Sequence, residues 1–231
     1  MMSKNALQTE KTKDECLHAI LEQGALPLFY YNDVDVSMQV IRSLYKAGIR
    51  VMEFTNRAEG ALEVYREVRK QVANELPDMF FGAGTIKTVK DAVAFENAGA
   101  DFFVAPNLLE GVGQLALGQN KLWIPGCMTP SEIHIAERSH AALIKIFPAN
   151  VLGPGFISAV KEVFPTQAFI PTGGVEISKE NLSAWFKSGV AAVGMGSKLV
   201  SKEILQNKAY DEVFARATEL LKIIKEVRGE R

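Results

Sequence analysis

The sequence predicts an α/β protein, a single (β/α)8 TIM barrel domain over residues 1–231 with a closed parallel sheet and an additional N-terminal helix. Two observations carry this reading. Eight short apolar runs alternate strictly with amphipathic stretches, and such alternation demands parallel pairing with crossover helices outside the sheet. The units are also evenly spaced with no break in composition, whereas a doubly wound open sheet usually shows a break or reversal. Barrels of this kind commonly run to about this length as one domain.

In chain order, a polar segment at 1–12 is expected to be poorly ordered, and a first helix follows at Lys13–Gln23. The runs at 25–31, 49–54, 79–85, 101–105, 122–127, 142–147, 168–172 and 191–195 read as strands, being short, apolar and rich in residues that suit a buried sheet. Between them, 34–47, 58–73, 88–98, 108–117, Pro130–Arg138, 156–163 and Lys179–Lys187 carry a helical apolar stripe, and a last helix is expected at 210–227. Gly48, Gly99 and Gly189 follow helical stretches and precede strands, as C-caps do.

Composition narrows the function. With 48% hydrophobic residues and a net charge of −1, the chain can bury a large core and has no general attraction for nucleic acid or anionic membrane. No run reaches the roughly 20 apolar residues of a membrane span. No signal-peptide pattern is visible, so a cytoplasmic protein is expected. Cys16 and Cys127 form no metal or redox spacing, and His18, His134 and His140 are dispersed, so no metal site is expected.

The chemistry is expected at the C-terminal ends of the strands, where barrel enzymes keep it. Leu143-Ile144-Lys145-Ile146-Phe147-Pro148 places one lysine in an otherwise apolar strand. Burial disfavours an ammonium and lowers its pKa, and a neutral amine attacks carbonyls. The competing reading is a lysine whose stem is buried while its ammonium reaches water. Side-chain alternation assigns Leu143, Lys145 and Phe147 to the interior, and puts Glu53 on the same face as Val51, Thr55 and Arg57. An acid and a base would then face each other across the interior, either as a structural ion pair or as a proton shuttle beside a nucleophile. Arg57 offers a fork for a carboxylate. Gly82-Ala83-Gly84-Thr85 brings backbone N–H groups and a hydroxyl close to a ligand. Pro171-Thr172-Gly173-Gly174 and Gly194-Met195-Gly196-Ser197-Lys198 lie where barrels bind phosphate, with Lys198 able to add a charge.

These motifs, with Ala105-Pro106-Asn107, Pro125-Gly126-Cys127-Met128-Thr129-Pro130 and Lys145-Ile146-Phe147-Pro148-Ala149, occur in an order that closely resembles the 2-keto-3-deoxy-6-phosphogluconate (KDPG) / 4-hydroxy-2-oxoglutarate (KHG) class I aldolases. The resemblance spans about 25–197. It implies a homotrimeric barrel acting on a small-molecule substrate in sugar-acid breakdown of the Entner–Doudoroff type, with no cofactor. It gives Lys145 the Schiff base with the 2-keto carbon and Glu53 the acid/base role through a water. Arg57 and Thr85 would bind the pyruvyl carboxylate, with Phe147 and Pro106 walling the site. Thr172, Gly173, Gly174, Gly196 and Ser197 would hold the distal hydroxyls and phosphate. Two places depart from many relatives: Leu28-Phe29-Tyr30-Tyr31, where an arginine is common, and Asn150, where several carry glutamate. Two other readings of the same residues are a phosphate-binding-barrel isomerase or synthase with an electrophilic Lys145, and a non-catalytic barrel that binds a phosphorylated acid.

Overall fold

The structure, a computed structural model, describes residues 11–229. The polar segment expected to be poorly ordered falls mostly outside them, at 1–10. Thr12 and Lys11 are described and make defined contacts. The Thr12 hydroxyl accepts from the Glu15 N–H while the Glu15 carboxylate accepts from the Thr12 N–H, a reciprocal cap that starts α1 (Lys13–Gln23). The Lys11 ammonium donates to the Met79 carbonyl and pairs with Asp101.

The chain then alternates as expected. The elements are β1 (Ala25–Phe29), α2 (Val34–Lys46), β2 (Val51–Thr55), α3 (Ala61–Glu75), β3 (Phe80–Gly84), α4 (Val89–Asn97), β4 (Phe102–Val104), α5 (Glu110–Gly118), β5 (Leu122–Ile124) and β6 (Gly126–Cys127). There follow α6 (Pro130–Arg138), β7 (Leu143–Ile146), α7 (Ala149–Val163), β8 (Ala168–Pro171), α8 (Lys179–Lys187), β9 (Val193–Met195), α9 (Lys202–Asn207) and α10 (Tyr210–Arg228). Helix starts follow local chemistry: Asp33, Thr88, Thr129, Ser178 and Ser201 each accept a hydrogen bond from a first-turn N–H. Gly48, Gly99 and Gly189 have φ of 108°, 88° and 96°, the left-handed turn that leads each helix into its strand.

Most boundaries shift by one to three residues, and three features depart further from expectation. Pro125 cannot donate to a ladder, so the fifth strand divides into β5 and β6. Gly153-Pro154-Gly155 reads as a break, yet the helical turn begins before it at Ala149, with Gly153 interrupting at φ 72° and ψ 171°. The short α9 lacks enough turns to show a periodic stripe in sequence.

All ladders are parallel. One sheet runs β5-β4-β3-β2-β1-β9 and the other β6-β7-β8. The two curve around one interior. Leu26, Val51, Phe102, Val104, Leu122, Ile124, Leu143, Ile170 and Ala192, drawn from both sheets, pack together with Cys16 and Ile20 of α1, which closes the N-terminal end. The alternate residues of the same strands, such as Met52, Phe54, Phe81, Ile144 and Ile146, pack outward against the helices. Among the described residues, no helix is long and apolar enough to cross a membrane.

A polar knot holds the N-terminal end together. The Asp101 carboxylate accepts from the Phe81 N–H at 2.7 Å, pairs with Arg69 at 3.1 Å and receives Lys11 at 3.5 Å. Removing this buried acceptor strands an N–H and leaves two cations without their partner. Asp101→Ala should therefore cost about 3 kcal/mol in urea unfolding, and an unchanged midpoint would contradict the knot's role.

Candidate active site

Strand β2 carries Glu53 into the interior, and β7 carries Lys145. Both are almost wholly buried, at 1% and 5% exposure. Register sets their heights: Glu53 lies opposite Leu28 of β1 and Gly82 of β3, while Lys145 lies opposite Gly126 of β6 and Ile170 of β8. Burial pushes the Glu53 carboxyl above its usual range, an effect opposed by the charges of Lys145 and Arg57. Burial pulls the Lys145 amine below its usual range, opposed by Glu53 and reinforced by Arg57. These three groups therefore feel one another, although Arg57 itself lies beyond the strand end and is exposed. The Phe147 ring centroid lies 5.2 Å from Lys145 Nζ, and the residue is 37% exposed.

The interior makes room for these groups by omitting side chains. A Cβ on Gly84 would sit 1.7 Å from Glu53 Oε1 and 2.2 Å from Cδ, so the carboxyl occupies the space over β3 that a side chain would fill. Gly82 likewise leaves room for the Phe102 ring, with 2.3 Å to the nearest atom. At Gly126 the missing side chain admits the Pro106 carbonyl at 2.3 Å, which brings the Pro106-Asn107 backbone beside the strand pair that carries Lys145. Glu53 Oε1 and Thr55 Oγ1, on the same face of β2, are buried without a hydrogen-bond partner among the described residues. Buried polar atoms of this kind await a ligand or water.

Thr85 follows Gly84 at φ 57°. A threonine in the left-handed region is strained, and such strain concentrates at functional positions. The half-buried Thr85 thus stands next to the recess holding Glu53. Across the interior, Thr172 bridges to Gly194, whose absent side chain leaves space for Thr172 Oγ1 at 2.3 Å. Gly173 and Gly174 turn at φ 104° and 71°, a pair that L side chains rarely allow. A Cβ on Gly196 would lie 3.5 Å from Leu28 Cδ1, and Ser197 is exposed beyond it. Lys198 pairs with Glu176 at 2.9 Å in an exposed salt bridge. Tyr30 packs edge-on against Phe54 at 5.6 Å, on the outer core of the helix layer.

The remaining candidates are inert. Burial pushes the Cys127 thiol up to about 12 and the Cys16 thiol well above its usual value, so neither is a ready thiolate at neutral pH. Among the described residues no group of three or more His, Cys, Asp or Glu side chains could hold a metal ion.

The parity of β2 and β7 located Glu53 and Lys145 in sequence, whereas the recess at Gly84 had no signal beyond a glycine in a Gly-x-Gly run. Gly84→Ala should displace the Glu53 carboxyl and lower kcat about 100-fold with the fold retained by circular dichroism. Unchanged turnover would show that Glu53 does not depend on this recess.

Comparison with known proteins gives one consistent result. A family model described as "KDPG and KHG aldolase" matches residues 18–216. The chain is 30% identical to a 2-dehydro-3-deoxy-phosphogluconate aldolase of Haemophilus influenzae, over 93% of this chain and 99% of that one. It is 30% identical to a KHG/KDPG aldolase of Escherichia coli K12, over 87% and 92%. Among solved structures, a KDPG aldolase from Legionella pneumophila, captured with pyruvate as a covalent carbinolamine intermediate, is 26% identical with a TM-score of 0.79, over 87% of this chain and 96% of that one. With a buried lysine and a buried carboxyl set on one interior, and with this match along most of its length, the chain belongs to the KDPG and KHG aldolase family.

Proposed function

We propose that this protein is a class I aldolase that cleaves a 2-keto-3-deoxy-6-phospho-sugar acid, or the shorter 4-hydroxy-2-oxoglutarate, with Lys145 as the Schiff-base nucleophile. The observation that carries the proposal is the buried pair, a lysine amine held low by desolvation and an unpartnered carboxyl held high, on facing strands of one interior. The Lys145 amine adds to the C2 carbonyl, and loss of water gives a protonated imine. Glu53, through a water, takes the C4 hydroxyl proton as the C3–C4 bond breaks. The bond's electrons pass into the imine, which becomes an enamine, and the aldehyde departs as glyceraldehyde 3-phosphate or glyoxylate. The enamine takes a proton at C3, and hydrolysis releases pyruvate and restores the amine. The imine is itself the electron sink, so this scheme uses no cofactor.

In this scheme Arg57 and Thr85 hold the pyruvyl carboxylate, while Phe147 and Pro106 line the hydrophobic side. Thr172, Gly173, Gly174, Gly196 and Ser197 receive the distal hydroxyls and phosphate. The positive-φ glycine pair supports that role, since its N–H groups are free to turn toward an anion.

Three further features belong to the same proposal. The two sheets close as one eight-unit barrel forming a single domain, a reading supported by the Thr172–Gly194 bridge on one side and the Lys145 N–H donating to the Pro125 carbonyl at 2.8 Å on the other. The protein assembles as a homotrimer, supported by the exposed apolar side chains Val89 and Val93 of α4, Leu117 of the contacting α5, Met128 before α6 and Ile135 on it. It works in the cytoplasm.

Lys145→Ala should abolish pyruvate release, and retained turnover would remove the assignment. Because Glu53 must be ionised to accept a proton and its carboxyl is held above the usual range, kcat/KM should fall with pH at a point above the ordinary carboxylate region. Glu53→Gln should lower kcat by about 10²–10⁴-fold and erase that acid limb. Wild-type-like kinetics in this variant would take the shuttle role from Glu53.

A further inference from the structure

We propose that Thr55 is a positioning residue for the proton transfer: its buried hydroxyl holds, against the Glu53 carboxyl, the water that carries the C4 hydroxyl proton. The inference rests on the aldolase reading above and deepens it.

Thr55 closes β2 with its side chain on the face that carries Glu53. Register puts the two groups at one height. Thr55 pairs with Gly84 of β3. Glu53, two residues earlier, sends its carboxyl into the space that a Gly84 side chain would take, with Oε1 1.7 Å from the position of that Cβ. The carboxyl therefore stands in the place of a cross-strand neighbour of Thr55, over a backbone about 4.8 Å away. Yet the two do not bond to each other. Glu53 Oε1 and Thr55 Oγ1 are both buried with no hydrogen-bond partner among the described residues. Two oxygens set about one strand spacing apart are joined by a single water.

Packing gives no reason for the hydroxyl. Thr55 is fully buried, and a valine of nearly the same shape would fill the place without stranding a polar atom. The backbone on either side holds the side chain where it is. The Thr55 carbonyl accepts from the Arg57 N–H at 3.0 Å, and the Asn56 N–H donates to the Gly84 carbonyl at 2.8 Å. The hydroxyl is thus kept beside the Glu53 recess.

A water set between the two groups donates one hydrogen to each and turns its lone pairs to the C4 hydroxyl. As the C3–C4 bond breaks, the C4 proton passes to the water and one of the water's own protons passes to Glu53. Thr55 keeps its proton throughout, and the water is regenerated. The same contact favours the ionised carboxylate, because it keeps a hydrogen pointed at Glu53.

The test compares Thr55→Val and Thr55→Ser with the wild type, by pyruvate release from both proposed substrates and by thermal unfolding. Thr55→Val should lower kcat about tenfold or more, change KM by less than about twofold, and move the acid limb of kcat/KM to higher pH. Its thermal midpoint should stay at or above the wild-type value, since an orphaned hydroxyl is removed. Thr55→Ser, which keeps the hydroxyl, should recover most of the lost kcat. In a Glu53→Gln background, Thr55→Val should cost less than about twofold more, because it acts through Glu53. Wild-type kcat and an unmoved limb in Thr55→Val would overturn the inference. So would a loss that serine does not recover, that adds fully to Glu53→Gln, or that comes with a lowered thermal midpoint, and each would leave the aldolase reading intact. Wild-type protein that releases pyruvate from neither substrate would instead remove the aldolase reading and this inference with it.

Discussion

The constraint on which this structure depends is the burial of an amine and a carboxyl in one apolar interior. An ionised lysine deep in a protein is costly, and so is an ionised glutamate. Here each group is pushed toward its neutral form by desolvation while the charge of the other pulls it back. The result is a pair in which burial and the partner's charge oppose each other at both groups. That balance is what a carbonyl-condensing amine and a proton shuttle require, and it could not survive in water. The apolar layer below, from Leu26, Val51, Phe102 and Leu143 to the α1 plug, is what keeps water from the N-terminal end.

The same constraint explains the glycines. A barrel interior filled by branched side chains leaves no space for functional groups. In this chain the space is made one residue at a time. Gly84 yields to the Glu53 carboxyl, Gly126 to the Pro106 carbonyl, and Gly194 to the Thr172 hydroxyl. Each glycine stands beside a proposed site group or admits one to the interior. The strain of Thr85 at φ 57° marks the same rim, held there by the strand that ends at Gly84.

Much of this was legible in the sequence because period-two alternation and the rule of C-terminal strand ends are strong signals. Parity separated Leu143 and Lys145 from Ile144 and Ile146, whose apolar side chains suit the helix layer, and the packing clusters divide Leu143 from Ile144 and Ile146 in that way. Less legible were features decided by tertiary contact. Lys198 reads as a cation beside the last strand, and its exposed pairing with Glu176 is a contact that no local pattern announces. Tyr30 has the parity of the interior, yet a tyrosine ring gains more by packing on Phe54 than by standing at a polar mouth. The early start of α7 was hidden because Gly153-Pro154-Gly155 is a helix breaker in any local reading, and the turn before it is held by Thr172 at the end of the adjacent strand β8. The recess at Gly84 was invisible for a similar reason, since a glycine's neighbour on another strand leaves no mark on the local sequence.

The most direct measurement is borohydride reduction in the presence of pyruvate, followed by peptide mass mapping of every lysine. The account predicts a single reduced pyruvyl adduct, on Lys145. A folded protein that yields no adduct, or yields one on another lysine, would contradict it.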